Sequence, residues 1–156
     1  MLWENYPELS EKLEKVEEII EQNLKCRNKP FEELMQTLST GGKRLRPALT
    51  ILSASFGEKY NEKIYNAAAG IEILHMATLV HDDIIDESDT RRGKPTANSL
   101  YGNKMAVYMG DYLLTRALML LTRTLPEDRL EDITRGIKAI CEAEIEQFFN
   151  RFNLNT

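Results

Sequence analysis

The chain has 156 residues, with 20 lysines and arginines against 25 aspartates and glutamates, and a net charge of −5. A 42% hydrophobic share suffices for one modest core and, with 29% charged residues, excludes a disordered chain. The mildly acidic balance argues against a general nucleic-acid binder, and two cysteines, Cys26 and Cys141, exclude a disulfide framework and a cysteine zinc site.

In chain order, the sequence reads as helix after helix. Leu9, Leu13, Val16, Ile20 and Leu24 recur at spacings of three and four, which predicts a first helix with one apolar face. Phe31, Leu34, Met35 and Leu38 mark a second, shorter helix that Gly41-Gly42 stops. Pro47 suits the first turn of a third helix, and Gly57 is its expected terminator. Asn61 is the expected cap of a fourth helix running to about Asp86, alanine-rich and apolar nearly all round, as suits the middle of a bundle. Residues 87–98 are polar, contain Gly93 and Pro95, and read as a loop. A fifth helix is expected over residues 99–122, with Asp111 inside it and in need of a buried partner. Pro126 opens a sixth, in which Ile133, Ile137, Ile140, Ile145 and Phe148 keep helical spacing. The expected class is an all-α bundle of about six helices, with no strand pattern of useful length. The most apolar stretch, residues 105–121, is interrupted by Asp111 and Arg116, so no membrane span is expected. The N-terminus has no basic region ahead of an apolar run, and a cytoplasmic protein is the expectation.

Three clusters carry chemistry. Asp82 and Asp86 are four apart at the end of the fourth helix, one above the other, with Asp83 on the same edge. Like charges there oppose each other and the helix dipole, so either a cation neutralises them or they form a solvated acidic helix end. All-oxygen ligands suit Mg2+, which keeps waters and bridges to phosphates. Next comes Thr90-Arg91-Arg92-Gly93-Lys94, whose guanidinium groups match phosphate bidentately, or else pair with Glu87 and Asp89. The third cluster, Gly41-Gly42-Lys43-Arg44-Leu45-Arg46-Pro47, sets cations at a helix N-terminus, itself an anion site; the alternative is an ordinary basic junction. His75 lies two turns before Asp82 on one face, with Glu72 beside it, and reads either as a site residue or as a hydrogen-bonded core histidine. Glu144 and Gln147 line a cavity or face solvent. With His75 and His81 the only histidines, a histidine-rich zinc site is excluded.

Taken in order, Gly41-Gly42-Lys43-Arg44-Leu45-Arg46-Pro47, Glu72 to His75, Asp82-Asp83-Ile84-Ile85-Asp86, Arg91-Arg92-Gly93, Gly110-Asp111-Tyr112-Leu113-Leu114 and Glu144 to Gln147 resemble the trans-isoprenyl (polyprenyl) diphosphate synthases. Within that family the chain is most similar to the bacterial medium- and long-chain members, such as heptaprenyl diphosphate synthases. The resemblance implies an all-α prenyltransferase fold and a Mg2+-dependent transferase. It implies that Asp82, Asp83 and Asp86 are catalytic, with Asp82 and Asp86 as the Mg2+ ligands. By the same matching, Arg91 binds an allylic diphosphate, and Lys43, Arg46, His75 and Arg92 hold isopentenyl diphosphate. The implied reaction is head-to-tail condensation: metal-assisted loss of diphosphate gives an allylic cation, the isopentenyl double bond attacks it, and a proton leaves. The fifth and fourth residues before Asp82 are Ala77 and Thr78, neither aromatic, which by the family's rule implies a product longer than farnesyl.

The family carries a second aspartate-rich motif in its C-terminal half, and this sequence has none. The expectation is therefore that residues 1–156 are the N-terminal part of a polyprenyl synthase domain, inactive in condensation by themselves. The alternative is a short, non-catalytic diphosphate-binding or assembly subunit that pairs with another chain. Both imply association, as a homodimer or through apolar surface left uncovered.

Overall fold

The structure, a computed structural model, describes residues 3–40, 42–57 and 61–151, which leaves Gly41 of the basic junction outside the described residues. These residues divide into two compact units at Thr124/Leu125.

The first unit is built around one buried helix. Helix α1 (Pro7–Leu24) buries Leu9, Leu13, Val16, Ile20 and Leu24, the stripe that the spacing predicts. Helix α2 (Lys29–Ser39) opens on Asn28, whose side chain accepts the Phe31 N–H, satisfying one of the donors that a helix start leaves unpaired. Helix α3 (Leu45–Ala54) starts from Arg44, held in the left-handed region at φ 50°. Helix α4 (Lys63–Ile85) follows; its cap position is Glu62, which makes no side-chain capping bond, rather than the expected Asn61, whose Oδ1 accepts the Lys63 N–H at 2.9 Å. Ala67, Ala68, Ala69, Ile73, Met76, Ala77 and Val80 are all buried, because α1, α3 and α6 (Asn103–Thr124) pack around α4 from different sides. A helix apolar all round can only be satisfied in that position.

Two expectations need correction. Residues 87–98 are more than a loop: β1 (Thr90–Arg91) and β2 (Lys94–Pro95) pair antiparallel across Arg92-Gly93. Both turn residues have positive φ, 53° and 75°, the geometry that lets a two-residue turn follow the twist of its strands. The single helix expected over 99–122 is two, α5 (Ala97–Tyr101) and α6, broken at Gly102 with φ 80°. The described residues thus hold seven α-helices rather than six; the all-α class stands.

The second unit contains α7 (Glu127–Asn150), which starts at Pro126 and buries no residue. Ile140, Ile145, Phe148 and Phe149 are all more than half exposed, and Glu144 and Gln147 are exposed as well. No described helix is long and apolar enough to cross a membrane.

Candidate functional site

Four residues that the sequence resemblance assigns to one substrate arrive from three separate stretches of chain and line one cavity. Lys43 comes from the junction after α2, Arg46 from the first turn of α3, His75 from the middle of α4, and Arg92 from the hairpin turn. Gly42, Arg44, Leu45 and Glu72 complete the lining of a cavity of about 370 Å3. Gly42 is the point of closest approach: a Cβ there would lie 2.9 Å from the Arg44 Nη1 and 3.7 Å from the Arg92 Nη1. The hairpin is tied to the same place by Lys94, which donates to the Thr40 hydroxyl at 3.0 Å.

The backbone around the cavity is itself unusual. Only three non-glycine residues among the described ones have positive φ: Arg44, Glu87 and Arg92. Two of the three line this cavity. Left-handed backbone costs a non-glycine residue about 1 kcal/mol or more, and it persists where surrounding contacts over-determine it.

For Arg44 those contacts are unusually complete. Its Nε and Nη2 donate to Glu17 of α1, its Nη1 to Glu72 of α4 at 3.1 Å, and its Nη2 also to the Ser39 carbonyl. Burial works against the Arg44 charge, yet Glu17 and Glu72 outweigh it and hold the guanidinium above its ordinary pKa. Nothing in the sequence pattern announces this network. The Glu17 carboxylate sits on the polar face of α1, 27 residues before Arg44, and no spacing rule links the two.

His75 is half-buried, in the electrostatic company of arginines. Burial, joined by Arg46, Arg92 and Arg91 against the opposing pull of Glu72, pushes its imidazole below the ordinary value of 6.5. A cavity that keeps a histidine neutral beside several cations is prepared for an anion.

The three aspartates separate. Asp83 is buried, and both its oxygens accept from the Arg91 Nε, at 2.9 and 3.0 Å. Its carbonyl accepts the Ser88 N–H at 2.9 Å, so this residue anchors the start of the hairpin. Asp82 and Asp86 are exposed on the last turn and C-cap of α4, where no basic residue of the helix offsets them. Among the described residues no hydrogen bond or ion pair engages either carboxylate. No group of three or more His, Cys, Asp or Glu side chains converges there either. Two uncommitted carboxylates fit a hard cation that keeps most of its waters and leaves room for phosphate oxygens.

Asp111 lies outside the core, contrary to the expectation of a buried partner. Its side chain is 61% exposed rather than buried, and its partner is the His81 Nε2 at 3.3 Å. Ala77 is buried in the core face of α4, while Thr78 is exposed and donates its hydroxyl to the His75 carbonyl at 2.8 Å.

The pattern of the polyprenyl synthetase family matches residues 28–156. Over 151 residues the chain is 36% identical to heptaprenyl diphosphate synthase component 2 of Geobacillus stearothermophilus, covering 96% of this chain and 47% of that protein. It superposes with a TM-score of 0.88 and 37% identity on the structure of heptaprenyl diphosphate synthase from Staphylococcus aureus, covering 95% of this chain and 48% of that one. A polyprenyl synthase from Caulobacter crescentus CB15, solved with calcium and isoprenyl diphosphate, matches at 33% identity with a TM-score of 0.86, over 94% of this chain and 45% of its own. The chain spans about half the length of these relatives.

Proposed function

The chain belongs to the polyprenyl synthetase family, and on that footing we propose that it carries the diphosphate-holding part of a prenyltransferase that joins isopentenyl diphosphate to an allylic diphosphate, giving a medium- or long-chain polyprenyl diphosphate. Residues 1–156 are then the N-terminal part of one synthase domain of a cytoplasmic enzyme. One observation carries the reading: Lys43 and Arg46 of the junction, His75 of α4 and Arg92 of the hairpin come from three separate stretches of sequence yet line one cavity.

In this reading Lys43, Arg46 and Arg92 bind the diphosphate of isopentenyl diphosphate, and neutral His75 donates a hydrogen bond to it. Charge-assisted hydrogen bonds of this kind are about twice as strong as neutral ones. Asp83 holds Arg91 at the edge of the hairpin, so that the guanidinium faces the allylic diphosphate from a fixed base. Asp82 and Asp86 would hold Mg2+, which when bound supplies charge neutralisation to a departing diphosphate. The Caulobacter synthase solved with calcium and isoprenyl diphosphate supports a divalent cation in this role.

Calorimetric titration of the 156-residue chain with inorganic diphosphate tests the reading. Binding is expected, and Arg46→Ala with Arg92→Ala should abolish it; no binding by the unaltered chain would sink the proposal. The chain by itself should show little or no condensation with Mg2+, since it presents one aspartate cluster. Robust turnover would overturn that expectation.

A second reading is favoured by the exposed apolar residues of α3 and α7: the chain pairs with another chain, as an assembly subunit or a homodimer. A complete downstream aspartate motif in the same reading frame would decide against the assembly-subunit form.

A further inference from the structure

Lys43 and Arg46 flank a residue that no ligand assignment uses. Arg44 is only 13% exposed at its side chain and commits four of its five N–H donors: Nε to Glu17, both on Nη2 to Glu17 and the Ser39 carbonyl, and one on Nη1 to Glu72. Those partners sit on α1, on α4 and at the end of α2, so one guanidinium fastens three helices to the junction that carries two of the cavity cations, Lys43 and Arg46. We propose that Arg44 is a positioning residue of the diphosphate site, which fixes Lys43 and Arg46 in place and occupies Glu72 without handing its own charge to the ligand. The proposal rests on the diphosphate reading of this cavity.

Two physical consequences separate it from a plain structural ion pair. First, the left-handed backbone at Arg44 sends Lys43 to one side of the junction and starts α3, with Arg46 in its first turn, on the other. Without the side-chain contacts that over-determine it, this backbone relaxes and the two cations lose their common target. Second, Glu72 is buried and lies one helical turn before His75. Charged groups reach His75 from every side: Arg46 from α3, Glu72 from its own helix, Arg91 and Arg92 from the hairpin. Lys43 lies across the cavity. Among them Glu72 alone is negative, and Arg44 is the cation bonded to it. Removing Arg44 leaves a buried carboxylate uncompensated against both the imidazole and an incoming anion.

The test uses the whole 156-residue chain with inorganic diphosphate as the probe. Arg44→Gln, shown folded by circular dichroism, should bind diphosphate about tenfold or more weakly, the factor that loss of a residue orienting a ligand-holding group commonly costs. In the same variant the NMR titration of His75 should move upward, a shift that mere loss of packing would not produce. Arg44→Lys keeps the charge without the planar fork; it should leave His75 where it was and still weaken binding. Should Arg44→Gln fail to fold, Glu17→Gln takes its place. It removes one partner at the surface and should weaken binding severalfold with the fold intact. Unchanged affinity in a folded Arg44→Gln, or in Glu17→Gln where that variant stands in, overturns the proposal, as does an unmoved His75 in folded Arg44→Gln. If the unaltered chain binds no diphosphate, the functional reading fails, and the His75 titration alone then decides whether Arg44 shields that histidine.

Discussion

His75 has a pKa below 6.5 in the fold, and the sign of that shift sets two pH dependences. The unfolded chain takes up a proton on this residue as pH falls through about 6.5, while the folded chain resists. The contribution to stability is therefore full above that pH and is lost as pH falls below it. Urea unfolding should show the unaltered chain losing stability relative to His75→Asn between about pH 7 and about pH 5.5. Bound diphosphate reverses the preference, because an anion favours the imidazolium; affinity should rise as pH falls over the same interval. Asp83 gives a second residue-scale test. Arg91→Ala leaves a buried carboxylate without its cation and should cost about 2 kcal/mol in urea unfolding, a charged hydrogen bond's worth. The site's residue types were legible in the sequence because chemistry restricts them: few groups bind diphosphate, and they cluster near helix ends. What separated Asp83 from Asp82 and Asp86 was not legible. Burial of one carboxylate among three depends on where Arg91 returns, and a hairpin without apolar alternation gives no sign of turning back.

At the scale of elements, α4 and α6 cross closely at two reciprocal points. Gly70 of α4 would place a Cβ 2.8 Å from the Leu121 side chain of α6, and Gly110 of α6 would place one 2.3 Å from the His81 ring of α4. Each helix gives up a side chain to admit one from the other. Gly110→Ala should displace the His81 ring from Asp111 and cost about 1–3 kcal/mol, as overpacking does. Gly136→Ala on α7, where a Cβ meets nothing within 4 Å, should instead raise stability by about 0.5–1 kcal/mol, and thermal unfolding of both variants distinguishes them. This crossing also explains which elements could be read in advance. The α1 stripe was plain because apolar residues occupy one face alone. In α6, Met105, Val107, Tyr108 and Met119 are exposed while Ala106, Met109 and Leu113 are buried, so apolar composition does not mark the inward face. The apolar run around Asp111 therefore predicts an inward position, whereas its side chain lies outside.

At the scale of the whole molecule, one surface feature of the first unit is an apolar row. Leu45, Leu49 and Leu52 form a row along α3, continued by Phe56, which is 93% exposed. Apolar rows of this kind mark surfaces that another element covers. Light scattering should find the chain associating at micromolar concentrations. Leu49→Glu with Phe56→Glu should reduce that association while leaving the fold intact, since neither side chain belongs to the core. A monodisperse monomer of the unaltered chain would count against the expectation.

Trp3 is bonded to the basic junction, its indole Nε1 donating to the Lys43 carbonyl at 2.8 Å across 40 residues of chain. It is also the sole tryptophan of the sequence. The molecule thus contains its own optical probe, wired to the backbone of a cavity residue. Any event that shifts the Lys43 carbonyl changes the polarity and hydrogen bonding felt by a single indole. Intrinsic emission, excited selectively at the red edge of tryptophan absorption, therefore reads the state of the basic junction directly, with no dye, label or second fluorophore to deconvolute.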